Sequence, residues 1–217
     1  MNRGIAGAVL LALAAAAPAA AQSAAGCSAL LTAPAQGGWS EYNVRSSDGR
    51  SAIARFAIVG TERRDNRPLV WFENRVANPQ GEVQIVSHVL VPGFPYQAAA
   101  PMAAVLQGTR GSPIRLNEAA LIRARRSLPE VLRNITDACE RAAFVAEEDV
   151  TVAAGEVRAR HYRDAGRGVD IWVSEDVPFG VVKLTNAGNR SSVELRGRGE
   201  GARSSLRAAP VDMEASQ

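Results

Sequence analysis

Glu82-Val83-Gln84-Ile85-Val86-Ser87-His88-Val89-Leu90-Val91 is the stretch that decides the fold class. Val83, Ile85, Ser87, Val89 and Val91 fall on one face of an extended chain; Glu82, Gln84 and His88 fall on the other. Side chains alternate across a strand, so a period-two run of this length reads as β-strand. In that pattern His88 is expected at the surface. Working upstream, the same period returns in Leu69 to Val76 and in Ser51 to Gly60, where Ala52, Ala54, Phe56 and Ile58 share a face. Trp39, Tyr42 and Val44 mark a shorter strand before them. Asp48-Gly49, Arg64-Asp65-Asn66 and Pro79-Gln80-Gly81 separate the runs, which makes them consecutive antiparallel strands.

Several of these strands are apolar on both faces. A sheet covered on one side only shows a wet face on every strand. The second face is therefore expected to be covered by another part of the chain or to line a cavity.

Downstream, Pro92-Gly93-Phe94-Pro95-Tyr96 forms a stiff aromatic loop, and the Ala-rich stretch to Leu106 is expected to return as a strand. The period then changes. Ser127-Leu128-Pro129-Glu130 combines a capping spacing with a proline suited to a first helical turn. After it, Leu128, Val131, Leu132, Ile135, Ala138, Cys139 and Ala142 recur at three and four, a helix running to about Ala143. Leu116 to Arg126 reads as a preceding helix. The last third is sheet again. Val150 to Tyr162 bends at Ala154-Gly155, and Val169 to Val173 returns after a turn at 164–168. Phe179 to Leu184, Ser192 to Arg196 and Arg203 to Leu206 are expected to finish the sheet, with Gly197 to Gly201 a turn between the last two.

The ends carry a compartment. Arg3, the apolar run Ile5 to Ala17, the break at Pro18 and Ala19-Ala20-Ala21 follow the order of a secretory leader. The apolar run is shorter than the ~20 residues a membrane span needs. The expected division is a leader over 1–21, a flexible lead-in over 22–37, one domain over 38–207 and a polar tail over 208–217. Ordinary cleavage after Ala21 leaves Cys27 and Cys139 as the one possible disulfide of an exported, periplasmic protein. Ala24-Ala25-Gly26-Cys27 also looks like the box before a lipidated cysteine, and in that second reading Cys27 is a lipid anchor.

At 217 residues and 47% hydrophobic, the chain is neither disordered nor a disulfide scaffold. Two cysteines and two histidines cannot build a Cys/His metal cluster, and no metal or cofactor is expected. All basic residues but Lys183 are arginine, a bias expected of composition rather than of a partner. Arg115, Arg123, Arg125, Arg126 and Arg133 gather near the helices and read first as a solvated face, second as a contact for anionic headgroups at a membrane surface. Export argues against nucleic acid. Asn134-Ile135-Thr136 matches a glycosylation sequon, but Ile135 lies on the apolar stripe. No nucleophile elbow, phosphate loop or dinucleotide fingerprint is present. His161 with Asp170 across the hairpin is the one polar pair that could support acid–base chemistry, and a structural histidine is the plainer reading.

Gly37-Gly38-Trp39, Ala154-Gly155-Glu156-Val157, His161-Tyr162, Asp170-Ile171-Trp172-Val173-Ser174 and Val177 to Lys183 resemble the bacterial envelope proteins related to the periplasmic lipoprotein carrier. The resemblance implies an α+β fold: a strongly curved antiparallel sheet, a half-open barrel, with the two helices inserted between its halves and covering the open side over an apolar cavity. No functional residue of the carrier matches a position here. The expected function is a non-catalytic exported protein that binds a lipidic or other apolar ligand. Trp39, Phe56, Trp71, Phe72, Phe94, Tyr96 and Trp172 are the candidate cavity residues. Trp71 and Phe72 are neighbours on opposite faces, so one strand cannot offer both. The alternative is an envelope structural or protein-interaction module with a solid core and partners on an exposed edge. A hydrolytic enzyme comes third.

Overall fold

A computed structural model of the chain describes residues 26–92, 101–124 and 130–214, with the backbone alone for 130–134. The expected leader, Phe94, Tyr96, Arg125, Arg126 and Ser127 to Pro129 lie outside the described residues. The strands expected around Glu82 to Val91 form as read: β1 (Trp39–Arg45), β2 (Ser51–Arg64), β3 (Arg67–Ala77), β4 (Val83–Val91) and β5 (Ala103–Gly108) make an antiparallel meander. Asp65 and Asn66 hold φ of 48° and 60°. Two left-handed residues in a two-residue loop match the twist of the strands they join.

After β6 (Ile114–Arg115) come α1 (Glu118–Ala124) and α2 (Glu130–Arg141). The Asn117 side chain accepts the Ala120 N–H at 2.9 Å and caps α1. The second meander follows without a gap: β7 (Ala143–Val152), β8 (Gly155–Asp164), β9 (Val169–Val173), β10 (Val181–Asn186) and β11 (Ser191–Gly199). The bend expected at Ala154-Gly155 is a hairpin turn between two strands, with Gly155 at φ 107°. β12 (Val211–Asp212) pairs parallel with β6.

The halves join where β1 pairs antiparallel with β11, giving one 12-stranded sheet in the order β12-β6-β5-β4-β3-β2-β1-β11-β10-β9-β8-β7. This corrects the expected fold. The sheet is mixed, and it is an open ribbon with β12 and β7 at its ends, not a strongly curved half-barrel. The helices do lie between the two meanders in sequence. They do not cover a mouth: α2 packs on β8, β9 and the turn at Cys27–Leu30.

One face of the sheet carries the core. Tyr42, Phe56, Phe72 and Phe179 meet there, the Phe56 ring 5.3 Å from Tyr42, 5.6 Å from Phe72 and 6.1 Å from Phe179 between centroids. These are interlocking separations for tilted and edge-on rings. Ile135 and Cys139 of α2 and Leu195 of β11 belong to the same buried cluster. Burial pushes the Tyr42 hydroxyl far above its ordinary pKa, so it stays neutral. Phe179 takes φ 67° in a turn, where its ring is fully buried, rather than starting a strand.

Cys27–Leu30, read as lead-in, is a 3-10 turn; its Cys27 and Leu30 are buried, as is Leu31 after it. Cys27 is bonded to Cys139, which ties that turn to α2 and leaves no Cys27 thiol for a lipid. Gly180, at φ 76°, lets the backbone of Leu30 approach: a Cβ there would lie 2.2 Å from the Leu30 carbonyl oxygen.

The second face explains the two-sided apolarity. Ala57, Leu90 and Val105 lie on it and are buried. It is crossed near β3–β5 by residues 200–210, which leave β11 and run to β12. That strap was expected to be a strand and a polar tail. It makes no ladder until Val211.

Candidate functional site

The expected cavity residues are divided between the two faces. Phe56 and Phe72 lie in the core against Tyr42 and Phe179. The three tryptophans fall on the opposite side of their strands, Trp172 packed beside the core cluster, and each is held by an acceptor and a positively charged or imidazole side chain. Trp39 Nε1 donates to the Glu200 carbonyl at 3.2 Å, with the Arg55 guanidinium 4.5 Å above its ring. Trp71 Nε1 donates to Glu62 at 3.2 Å beside His88. Trp172 Nε1 donates to Glu148 at 2.6 Å, between stacked His161 and the Lys183 ammonium. Among the described residues, Trp39, Phe56, Trp71, Phe72 and Trp172 therefore do not line one apolar cavity; Phe94 and Tyr96 lie outside the described residues. The two-sided pattern hid the split, because a tryptophan satisfied by carboxylate and cation counts as apolar in sequence.

His161 and Asp170 do meet. Register places Lys183, Trp172 and His161 side by side on β10, β9 and β8. His161 Nε2 is 2.7 Å from Asp170, and Nδ1 is 3.4 Å from Glu148. Asp170 also accepts from Arg163 Nε at 2.6 Å. Burial raises the Asp170 pKa, but the bonds from Arg163 and His161 outweigh it and hold the carboxyl below the usual range. Both imidazole nitrogens face carboxylates and one ring face is covered by Trp172 at 4.3 Å. Chemically the arrangement cross-links β7, β8 and β9. It presents no free imidazole nitrogen toward a substrate.

A second constellation was missed by the alternation that put His88 at the surface. His88 is buried, and its Nε2 lies 2.7 Å from Glu73, which is 1% exposed. The Ser205 N–H and hydroxyl each donate to the Glu73 carboxylate at 2.7 Å. Burial pushes the Glu73 carboxyl up; the bonds from His88 and Ser205 together pull it below its ordinary value. Ionised, the carboxylate only accepts, so His88 carries the proton on Nε2. The signal available in sequence was a glutamate in phase with Leu69 and Trp71 along β3. Its partner Ser205 lies in the strap, too far along the chain to find.

The ends of the sheet differ. β12 is two residues long. β7 is ten, with no strand paired to its outer side among the described residues, and Phe144 and Val145 are each 47% exposed. Glu147, Glu148 and Asp149 follow them on the same strand, Glu147 and Asp149 bound to Arg158 of β8. Among the described residues no group of three His, Cys, Asp or Glu side chains is placed to hold a metal, and no helix is long and apolar enough to cross a membrane.

No family model and no curated protein matches the chain. Among solved structures it is similar to a suspected lipoprotein of Parabacteroides distasonis, at 10% identity and a TM-score of 0.37, over 78% of this chain and 98% of that one. It is similar also to a suspected exported protein of Bacteroides fragilis with a YmcC-like fold, at 11% identity and 0.37, over 78% and 99%. Neither is described as the lipoprotein carrier. Likenesses this faint carry no argument about what the chain does.

Proposed function

We propose that this is an exported, non-catalytic protein that works through its surface, as a structural or protein-interaction module of the bacterial envelope, with the β7 edge as its docking strand. The observation that carries the reading is the combination of a packed aromatic core with a long unpaired edge. The leader pattern and the Cys27–Cys139 bond support export, since such bonds persist in oxidising compartments. An unpaired strand offers a row of N–H and C=O groups that an extended partner segment can complete.

Glu147, Glu148 and Asp149 set the partner's chemistry. Two copies of β7 brought edge to edge would oppose acid with acid, and natural edges use charge in this way to prevent self-pairing. A basic, extended segment suits the same edge. The experiment is site-specific photo-crosslinking in cells from Val145 on β7, with Asp48 in the β1–β2 turn as the control position. The reading expects a discrete adduct from Val145, weakened when Glu147 and Asp149 are changed to Lys. Equal labelling from Asp48, or no adduct from Val145, would overturn it.

A further inference from the structure

We infer that the second face of β3–β5 is a peptide-recognition groove, and that residues 200–210 are its resident ligand in cis. The groove stands on a different part of the molecule from the β7 edge and does not rest on that reading. Its recognising groups are built into the sheet and buried. Glu73 accepts both the N–H and the hydroxyl of Ser205. The Gln107 side chain, 2% exposed, accepts the Arg207 N–H at 3.2 Å and is itself oriented by donating to the Gly111 carbonyl at 3.3 Å. The Arg207 guanidinium spans the Gly108 and Thr109 carbonyls at 3.0 and 3.1 Å.

Upstream, Ala202 N–H donates to the Gly37 carbonyl at 2.8 Å, and Trp39 holds the Glu200 carbonyl. Gly197 and Gly199 make room for that indole: a Cβ at 199 would lie 3.0 Å from Trp39 Nε1. Leu206 is the one large aliphatic side chain of the strap. It is held by its backbone and by a serine and an arginine two residues apart, the way grooves read an extended peptide.

A buried carboxylate and a buried amide demand partners, because leaving either unsatisfied is costly. Any ligand that replaces the strap must supply the same donors, which fixes its class: an extended peptide carrying Ser-x-Arg. Displacement would also withdraw β12 from β6, since the strap leads directly into β12.

The test uses the full chain. Ser205→Ala with Arg207→Ala loosens the resident strap, and a fluorescent peptide of residues 200–214 is titrated in by anisotropy. A tethered ligand competes at an effective concentration of order millimolar, so the wild type should bind the free peptide about tenfold or more weakly than the strap variant. Adding Glu73→Gln should abolish binding, and a peptide bearing both alanines should not bind. Absence of saturable binding to the folded strap variant, or binding that survives Glu73→Gln, overturns the inference. Should the strap variant fail to fold, a protease site between Gly201 and Ala202 of the wild-type chain replaces it. Exchange of the cut strap for labelled peptide, retained on gel filtration, supports the groove, and failure to exchange refutes it.

Discussion

Replacing Phe56 with Ala separates a filled core from a hollow one. The ring is 1% exposed and stands between Tyr42, Phe72 and Phe179, with centroids at 5.3, 5.6 and 6.1 Å. Losing it removes transfer free energy of about 2 kcal/mol. Its three neighbours sit on β1, β3 and the turn before β10, so they cannot collapse together without moving backbone. A void of roughly 90 Å³ at about 24 cal/mol per Å³ adds about 2 kcal/mol. The expected loss is therefore about 4 kcal/mol, or a melting temperature lower by about 8–15 °C for a domain of this size. Were the ring lining a cavity, no new void would form, and the loss would stay near 1 kcal/mol. Urea unfolding of the oxidised protein, followed by far-UV dichroism, reads the difference directly. A loss under about 1.5 kcal/mol with an unchanged m-value would refute the reasoning.

Gly180→Ala should cost about 3–5 kcal/mol in the same assay, since it adds a left-handed penalty to a clash with a disulfide-tethered backbone; Gly49→Ala, left-handed but in open space, should cost only about 1 kcal/mol. Glu73→Gln should cost about 2–3 kcal/mol at neutral pH. Because the folded Glu73 carboxyl titrates below its unfolded value, the wild-type advantage should be complete above about pH 4.3 and fade as the pH falls through the folded value. An advantage that grows in acid would contradict the Glu73 lock. Reducing the Cys27–Cys139 bond, 112 residues apart in sequence, should lower stability by about 4–5 kcal/mol in the chain-entropy picture, checked by urea unfolding with and without reductant. Intact mass before and after alkylation should show two cysteines protected in the oxidised form and no lipid on Cys27.

The sheet was legible where alternation is local. Val83 to Val91 and the Asp65-Asn66 turn follow from residues close in sequence, and each forms; the bend expected at Ala154-Gly155 is a full hairpin. The disulfide was legible as the one possible pairing. What alternation does not encode is which face packs against what. Ala57, Leu90 and Val105 are buried on the second face, and the strap that crosses that face beside Glu73 and Gln107 has no periodicity of its own and is held by hydrogen bonds. The same blindness hid His88, because its partner Glu73 belongs to a neighbouring strand and Ser205 to the strap. The Trp39, Trp71 and Trp172 indoles misled for a related reason: their polar edges, not their ring area, decide where they sit. Gly197 to Gly201 read as a turn, although Gly197 to Gly199 belong to β11, where Gly197 and Gly199 leave room for the Trp39 indole.

The central claim is that the apolar side of the sheet is filled by its own side chains and that the protein acts from its outer surfaces. Titrating the lipid-free mature protein with a fluorescent fatty-acyl probe tests it most directly. The account predicts a linear, non-saturating signal, unchanged by Phe56→Trp. Stoichiometric, saturable binding that Phe56→Trp weakens would contradict it.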